Sequence, residues 1–371
     1  MTQSTMPCPL PWFDVHTHFS PPRNPSEAEA AFEAYHKACF MVPSPPHWDI
    51  QSTLSHMDST QIGMQMLSNI PRDLDSLRKS NDFGSDLVKQ YPTRFGLLVA
   101  VPTDNANSAL TEAKRGLDEL GADGIAVTAH YNDIWLSDPR LEKLWEELDR
   151  RGETVHVHPN AYTDGSMGRP APLIEVAFET ARNVVDMLYS GMIERYPNIR
   201  FIMSVCPFPF FLPFFLSSFL PFFLPSFLLS FYFGRTSRRA DGRSPCRAHC
   251  GGAFPALAGR LELLGSESWV PHHPSLTSDR IPKLLSKLYV DTAAAASIHT
   301  LAPAIEVVGP EHIAYGSDHG VQCSTSETIQ RNRERLLGYE GMRVEEREAI
   351  GRRGWELFPR ARRRWESTQG E

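Results

Sequence analysis

The chain has 371 residues, 41% hydrophobic and 22% charged, an ordinary globular composition that excludes wholesale disorder and a small disulfide-stapled scaffold. Lys and Arg number 37 against 44 Asp and Glu, so a net charge of −7 offers no basic excess for a nucleic-acid backbone. The six cysteines form no C-x-x-C, and the opening MTQSTMPCPLPWFD lacks the basic and apolar regions of a secretory signal; a cytosolic protein is expected.

Short apolar runs ending in polar residues predict strands at Trp12–His16, Gly63–Ser68, Phe95–Val101, Gly124–Thr128, Thr154–His158, Arg200–Ser204, Leu288–Asp291 and His312–Ser317. Amphipathic stretches between them predict helices, among them Ser76–Gln90, Ala106–Leu120, Pro139–Arg151, Ile174–Tyr196, Ile281–Lys287 and Ser297–Val308. Strand–helix alternation argues a parallel sheet, and eight strands suit a closed (β/α)8 TIM barrel with its site at the strand C-terminal ends. A doubly wound sheet is the alternative, but no G-x-G-x-x-G follows the first strand. The Arg-rich run Arg360–Arg364 reads as a solvated end.

One segment breaks the pattern. From Pro207 to Phe231 the chain uses only Phe, Leu, Pro and Ser, and 205–233 holds 11 of the 21 Phe. The length would suffice for a membrane anchor, but Pro207, Pro209, Pro213, Pro221 and Pro225 interrupt any helix at ~3 kcal/mol each. Neither a 2.0 nor a 3.6 period supports a core element. These four residue types are the ones a polypyrimidine tract encodes, which points to a retained intron or mispredicted exon. The chain therefore divides into 1–204, the first part of the barrel; 205–248, the atypical insertion; and 249–371, the rest of the barrel and the tail.

The chemistry-bearing residues lie at strand ends. In Phe13-Asp14-Val15-His16-Thr17-His18, period-2 alternation puts both imidazoles on one face, where two nitrogens can bind one cation. Thr154-Val155-His156-Val157-His158-Pro159 ends another strand; His158, nearest the rim, is the candidate ligand, and His156 reads as a hydrogen-bonded core histidine. In Ile313-Ala314-Tyr315-Gly316-Ser317-Asp318, the carboxylate is placed as an oxygen ligand or proton shuttle, or else as a helix N-cap. Joined across the insertion, Phe201-Ile202-Met203-Ser204 and His249-Cys250-Gly251-Gly252 repeat the same grammar. Imidazole and carboxylate donors without thiolates favour Zn²⁺, then Mn²⁺.

These blocks, with HWDIQSTLSHMDSTQIGMQMLS, YPTRFGLLVAVP, LGADGIAV, ARNVVDMLYSGMIERYPNIRFIMS, HCGGAFPALAGRL and LYVDTA, resemble the amidohydrolase superfamily over roughly 10–204 and 249–360. The resemblance is to its decarboxylase branch, which includes aminocarboxymuconate-semialdehyde, γ-resorcylate and fungal 6-methylsalicylate decarboxylases. It implies His16, His18, His158 and Asp318 as metal ligands and His249 as an acid/base beside the metal. It also implies a small aromatic carboxylic acid as substrate, with 6-methylsalicylate the best guess, and a homodimer. Either Asp318 or His249 would donate the proton to the ring. Pro45-Pro46-His47-Trp48 resembles a segment that gives relatives an aromatic wall, the alternative being a partly buried loop Trp; Arg72, after the strand ending at Ser68, reads either as a bidentate partner for a carboxylate or as a solvated loop arginine.

The sequence departs from the family pattern at the insertion, at His319-Gly320 where an aromatic–Pro pair is usual, and at Gly354-Trp355 in place of Asn-Ala. The fourth strand ends Thr128-Ala129-His130-Tyr131, without the lysine of binuclear relatives, so a mononuclear site is expected. His130 reads as a rim residue, and Met57, Met64 and Met66 as core fill. The competing readings are a mononuclear-metal hydrolase of a lactone or amide on the same fold, and a membrane-attached or inactive homologue anchored by 205–233.

Overall fold

The computed structural model describes residues 10–132, 134–160, 169–204, 250–293 and 296–369. By its contacts the chain forms two units, Met1–Phe208 with Arg247–Glu371, and Pro209–Cys246. The second unit, the whole of the atypical insertion 205–248 and His249 lie outside the described residues.

Among the described residues the first unit has ten strands. They are β1 Trp12–His18, β2 Ile62–Ser68, β3 Phe95–Ala100, β4 Gly124–Thr128, β5 His130–Tyr131, β6 Ile134–Trp135, β7 Thr154–His158, β8 Arg200–Met203, β9 Tyr289–Asp291 and β10 Ile313–Ala314. Eight of them pair in parallel in the order β1-β2-β3-β4-β7-β8-β9-β10, while β5 and β6 form a separate antiparallel hairpin. The seam between β10 and β1 is closed by backbone bonds: Val15 N donates to Tyr315 O at 2.9 Å and Asp318 N to His16 O at 3.0 Å. This is the (β/α)8 TIM barrel expected from the alternation of strands and helices. No helix among the described residues is long and apolar enough to cross a membrane.

The expected helix over Ile174–Tyr196 is two, Glu175–Tyr189 and Met192–Arg195. Gly191, at φ +76°, takes a left-handed conformation that breaks it. The barrel floor is apolar. Phe13, Met64, Met66, Leu98 and Ile202 pack with Trp355 and Phe358 from the C-terminal helices. Gly354 belongs to that contact, because a Cβ there would collide with the Phe13 ring.

The Arg360–Arg364 run is not a solvated end. It lies in a helix, Pro359–Gln369, whose residues 360, 361, 364 and 365 share one face. Ala361 and Trp365 pack on the floor cluster, Arg360 pairs with Glu153, and Arg364 Nη2 reaches the buried Asp123 Oδ2 at 2.7 Å. These carboxylates sit just before β4 and β7, so the helix clamps the bottom of the barrel. Arg364→Ala would strand the Asp123 carboxylate, fully buried, without its cation. We expect a loss of about 3 kcal/mol, read as a lower urea midpoint at unchanged slope.

Candidate metal centre

β1 carries a register shift between Asp14 and Thr17. A bulge of this kind re-aims side chains. It lets Phe13 and Val15 join the floor cluster while His16 and His18 still turn to the barrel mouth. Their Nε2 atoms stand 3.1 Å apart. From β7, His158 brings its ring to 5.4 Å from that of His16 and 5.0 Å from that of His18. One donor atom from each of the three lies within 4.8 Å of the others. Asp318, just past β10, sets Oδ1 3.1 Å from His18 Nε2 and 3.5 Å from His16 Nε2.

The surroundings fix which nitrogen each ring offers. His158 Nδ1 donates to Pro159 O at 2.8 Å, leaving Nε2 buried with no hydrogen-bond partner. His16 Nδ1 donates to Asp291 Oδ2 at 3.0 Å, with Ser204 Oγ 2.6 Å from the same nitrogen. A carboxylate behind a histidine in this way orients the ring and makes its other nitrogen a better donor.

For His158 the electrostatics agree. Burial, reinforced by His18, His16 and His156, holds His158 well below the usual imidazole range, so it is neutral with a free lone pair. Burial works against the charged form of His16, but the Asp291 charge and hydrogen bond overcome it and raise its pKa to about 9. Burial would likewise raise Asp291, yet the His16 imidazole holds it well below the carboxylate range. Two imidazole nitrogens at 3.1 Å, a third without a partner and a carboxylate oxygen beside them form a set that a divalent cation would satisfy. The donor chemistry therefore fits a metal.

Not every expected residue joins the cluster. His156 is fully buried below it, and neither ring nitrogen makes a hydrogen bond; its Nε2 faces Asp291 Oδ2 at 3.6 Å. Burial and the contrary pulls of Asp291 and the other histidines leave its pKa at about 4. The expectation of a hydrogen-bonded core histidine is thus half met. His130 turns away to buried Glu179, 2.9 Å from its Oε1. Met57, Met64 and Met66 are core fill, all fully buried.

A cavity of about 120 Å³ opens beside His18 and His158. Tyr35, Phe40, Val42, Ile70 and Val176 form its apolar walls, and Asn69, Thr128 and Asn160 its polar points. Trp48 does not line it. Its ring packs against Phe19 and Phe83 at 6.2 and 6.4 Å, because the β1 end and the helix Leu74–Gln90 offer an apolar surface there. Arg72 approaches through an intermediary, Nη2 donating to Asn160 Oδ1 at 3.5 Å. Asp291 and Ser204 are the site residues that sequence reasoning passes over. Asp291 stands at a strand end in LYVDTA, the grammar that singles out Asp318, and that signal could have found it.

The amidohydrolase family matches this chain over residues 13–210. The decarboxylase macB of Penicillium terrestre is 28% identical over 94% of this chain and 95% of its own length. The 6-methylsalicylic acid decarboxylase of Penicillium expansum is 23% identical over 94% of this chain and 96% of its length. Among solved structures, the 2,6-dihydroxybenzoate decarboxylase from Rhizobium superposes with a TM-score of 0.67 at 19% identity, covering 94% of this chain and 98% of its own. A dihydroxybenzoic acid decarboxylase from Polaromonas, with bound manganese and the inhibitor 2-nitroresorcinol, gives a TM-score of 0.66 at 18% identity over 94% of this chain and 96% of that one. Barrel, histidine cluster and sequence likeness agree: the chain belongs to the amidohydrolase family.

Proposed function

We propose that the protein is a metal-dependent, non-oxidative decarboxylase of a small aromatic acid, with 6-methylsalicylate as the first substrate to try. The observation that carries this reading is a cavity of about 120 Å³ set against the unpartnered Nε2 of His158. His16, His18, His158 and Asp318 would hold the cation, Zn²⁺ by donor type or Mn²⁺ as in the Polaromonas structure. When bound, the cation supplies Lewis-acid polarisation of the substrate carboxylate and a neighbouring hydroxyl.

The chain's own residues do the rest. Tyr35, Phe40 and Val42 enclose the ring and exclude water, while Thr128 and Asn160 offer hydrogen bonds to ring substituents. A proton from Asp318 or His249 adds to the ring carbon bearing the carboxylate. The C–C bond to the carboxylate then breaks, CO₂ leaves, and its electron pair restores the aromatic ring. We further propose that 205–248 is a retained intron or mispredicted exon rather than part of the working barrel. Supporting this, the family match runs only to residue 210, a few residues into the Phe/Leu/Pro/Ser tract that begins at Pro207.

The test is CO₂ release from 6-methylsalicylate, with 3-methylphenol as the other product, by protein loaded with Zn²⁺ or Mn²⁺. Folded, metal-bearing protein that releases no CO₂ from any hydroxybenzoate would sink the proposal. Uptake of water by a lactone or amide would instead favour the hydrolase on the same fold.

A further inference from the structure

We propose that Ser324 is a positioning residue for Asp318, holding one carboxylate oxygen so that the other faces the cation. This rests on the metal-centre reading above. Asp318 is fully buried and sits at φ +62°, a left-handed conformation uncommon outside glycine. Its backbone is pinned to β1: Asp318 N donates to His16 O at 3.0 Å, and His18 N to His319 O at 2.7 Å. That pinning leaves the side-chain torsions free.

The chain then turns back over the carboxylate. Gly320, at φ +99°, makes the return, and a Cβ there would collide with the His18 carbonyl. Ser324 N donates to Val321 O at 3.1 Å and closes the turn. The Ser324 hydroxyl thereby reaches Asp318 Oδ2 and donates to it at 2.6 Å. Oδ1, on the opposite side, stays directed at His18 and His16. The Cys323 thiol is 3.9 Å from Oδ2 and is too weak a donor to take over. A hydrogen bond to a charged carboxylate is short and strong, and partners of ligating carboxylates typically matter 10–100-fold in metal affinity. His319 and Gly320 belong to the same turn.

The experiment is Mn²⁺ affinity by competition with a chromophoric chelator, with thermal unfolding of the metal-free protein alongside. Ser324→Ala should weaken Mn²⁺ binding ~10–100-fold with metal-free unfolding little changed. Ser324→Thr, which keeps the hydroxyl, should restore most of the affinity. The neighbouring Thr325 caps the helix Ser326–Leu337 by accepting from Thr328 N. Thr325→Ala should lower the unfolding temperature and leave Mn²⁺ affinity alone. The proposal is overturned if Ser324→Ala binds Mn²⁺ as tightly as the parent, or if Thr325→Ala weakens binding equally. Should Ser324→Ala not fold, Ser324→Cys carries the same comparison, since a thiol keeps the volume and donates weakly. A parent protein that binds neither Mn²⁺ nor Zn²⁺ would overturn the metal-centre reading itself.

Discussion

His158→Ala is expected to abolish measurable metal retention and lower CO₂ release by about 10³-fold, the several kcal/mol that Lewis-acid stabilisation supplies at 1.36 kcal/mol per decade. The ring is anchored at Nδ1 by Pro159 O, so its Nε2 has one direction to point, into the space shared with His16 and His18. Removing it takes one of three nitrogen donors away, and Ala at this strand end offers no replacement. Stability separates this loss from misfolding. A buried polar atom without a partner is a liability in the metal-free fold, but Ala also gives up the Nδ1 bond to Pro159 O, so the metal-free unfolding free energy should fall by no more than about 1 kcal/mol. The parent should gain stability on adding Mn²⁺, by mass action, and the variant should not. A variant that keeps parental metal content and turnover would remove His158 from the centre.

The barrel was legible because each strand announces itself twice, by an apolar run and by the polar residue that ends it. All eight expected positions fall on the parallel strands of the barrel. The C-terminal arginines misled because a charge run looks solvated when its partners, Asp123 and Glu153, lie more than 200 residues away. Even β1 was right for an incomplete reason. Alternation brings His16 and His18 together, but the bulge after Asp14 is what also lets Phe13 and Val15 fill the floor.

The centre was legible to the depth of its candidate ligands and little further. His16, His18, His158 and Asp318 sit at strand ends, so each carries a local mark. What orients them comes from barrel closure: Ser204 and Asp291 meet His16 across 188 and 275 residues. Trp48 shows the converse. The resemblance of its segment to one in relatives implied a ring wall, but Tyr35 and Phe40, from the helix Pro25–Lys37 and the loop after it, line the cavity.

Deleting 205–248 is expected to yield a chain of 327 residues that folds, retains metal and gives higher soluble yield and turnover than the 371-residue form. Every barrel strand lies in the unit formed by Met1–Phe208 and Arg247–Glu371. β8 is already paired on both sides, Phe201 with Val155 and Ile202 with Tyr289. The chain resumes with buried Cys250, then Gly251 and Gly252 at φ +80° and +66°, a turn that enters the helix Phe254–Leu264. The deletion would place His249 directly after Ser204, whose hydroxyl already lies against His16. It would also remove 11 of 21 Phe, a concentration of apolar side chains that favours association wherever it is exposed. Metal content, unfolding temperature and CO₂ release, measured on both chains, decide the matter. If the shortened chain fails to fold while the full chain folds and turns over, the segment is part of the protein. A transcript carrying the segment as its main form would say the same from the gene side. If the shortened chain is the active one, His249→Ala in that background then tests whether strand eight delivers the proton donor.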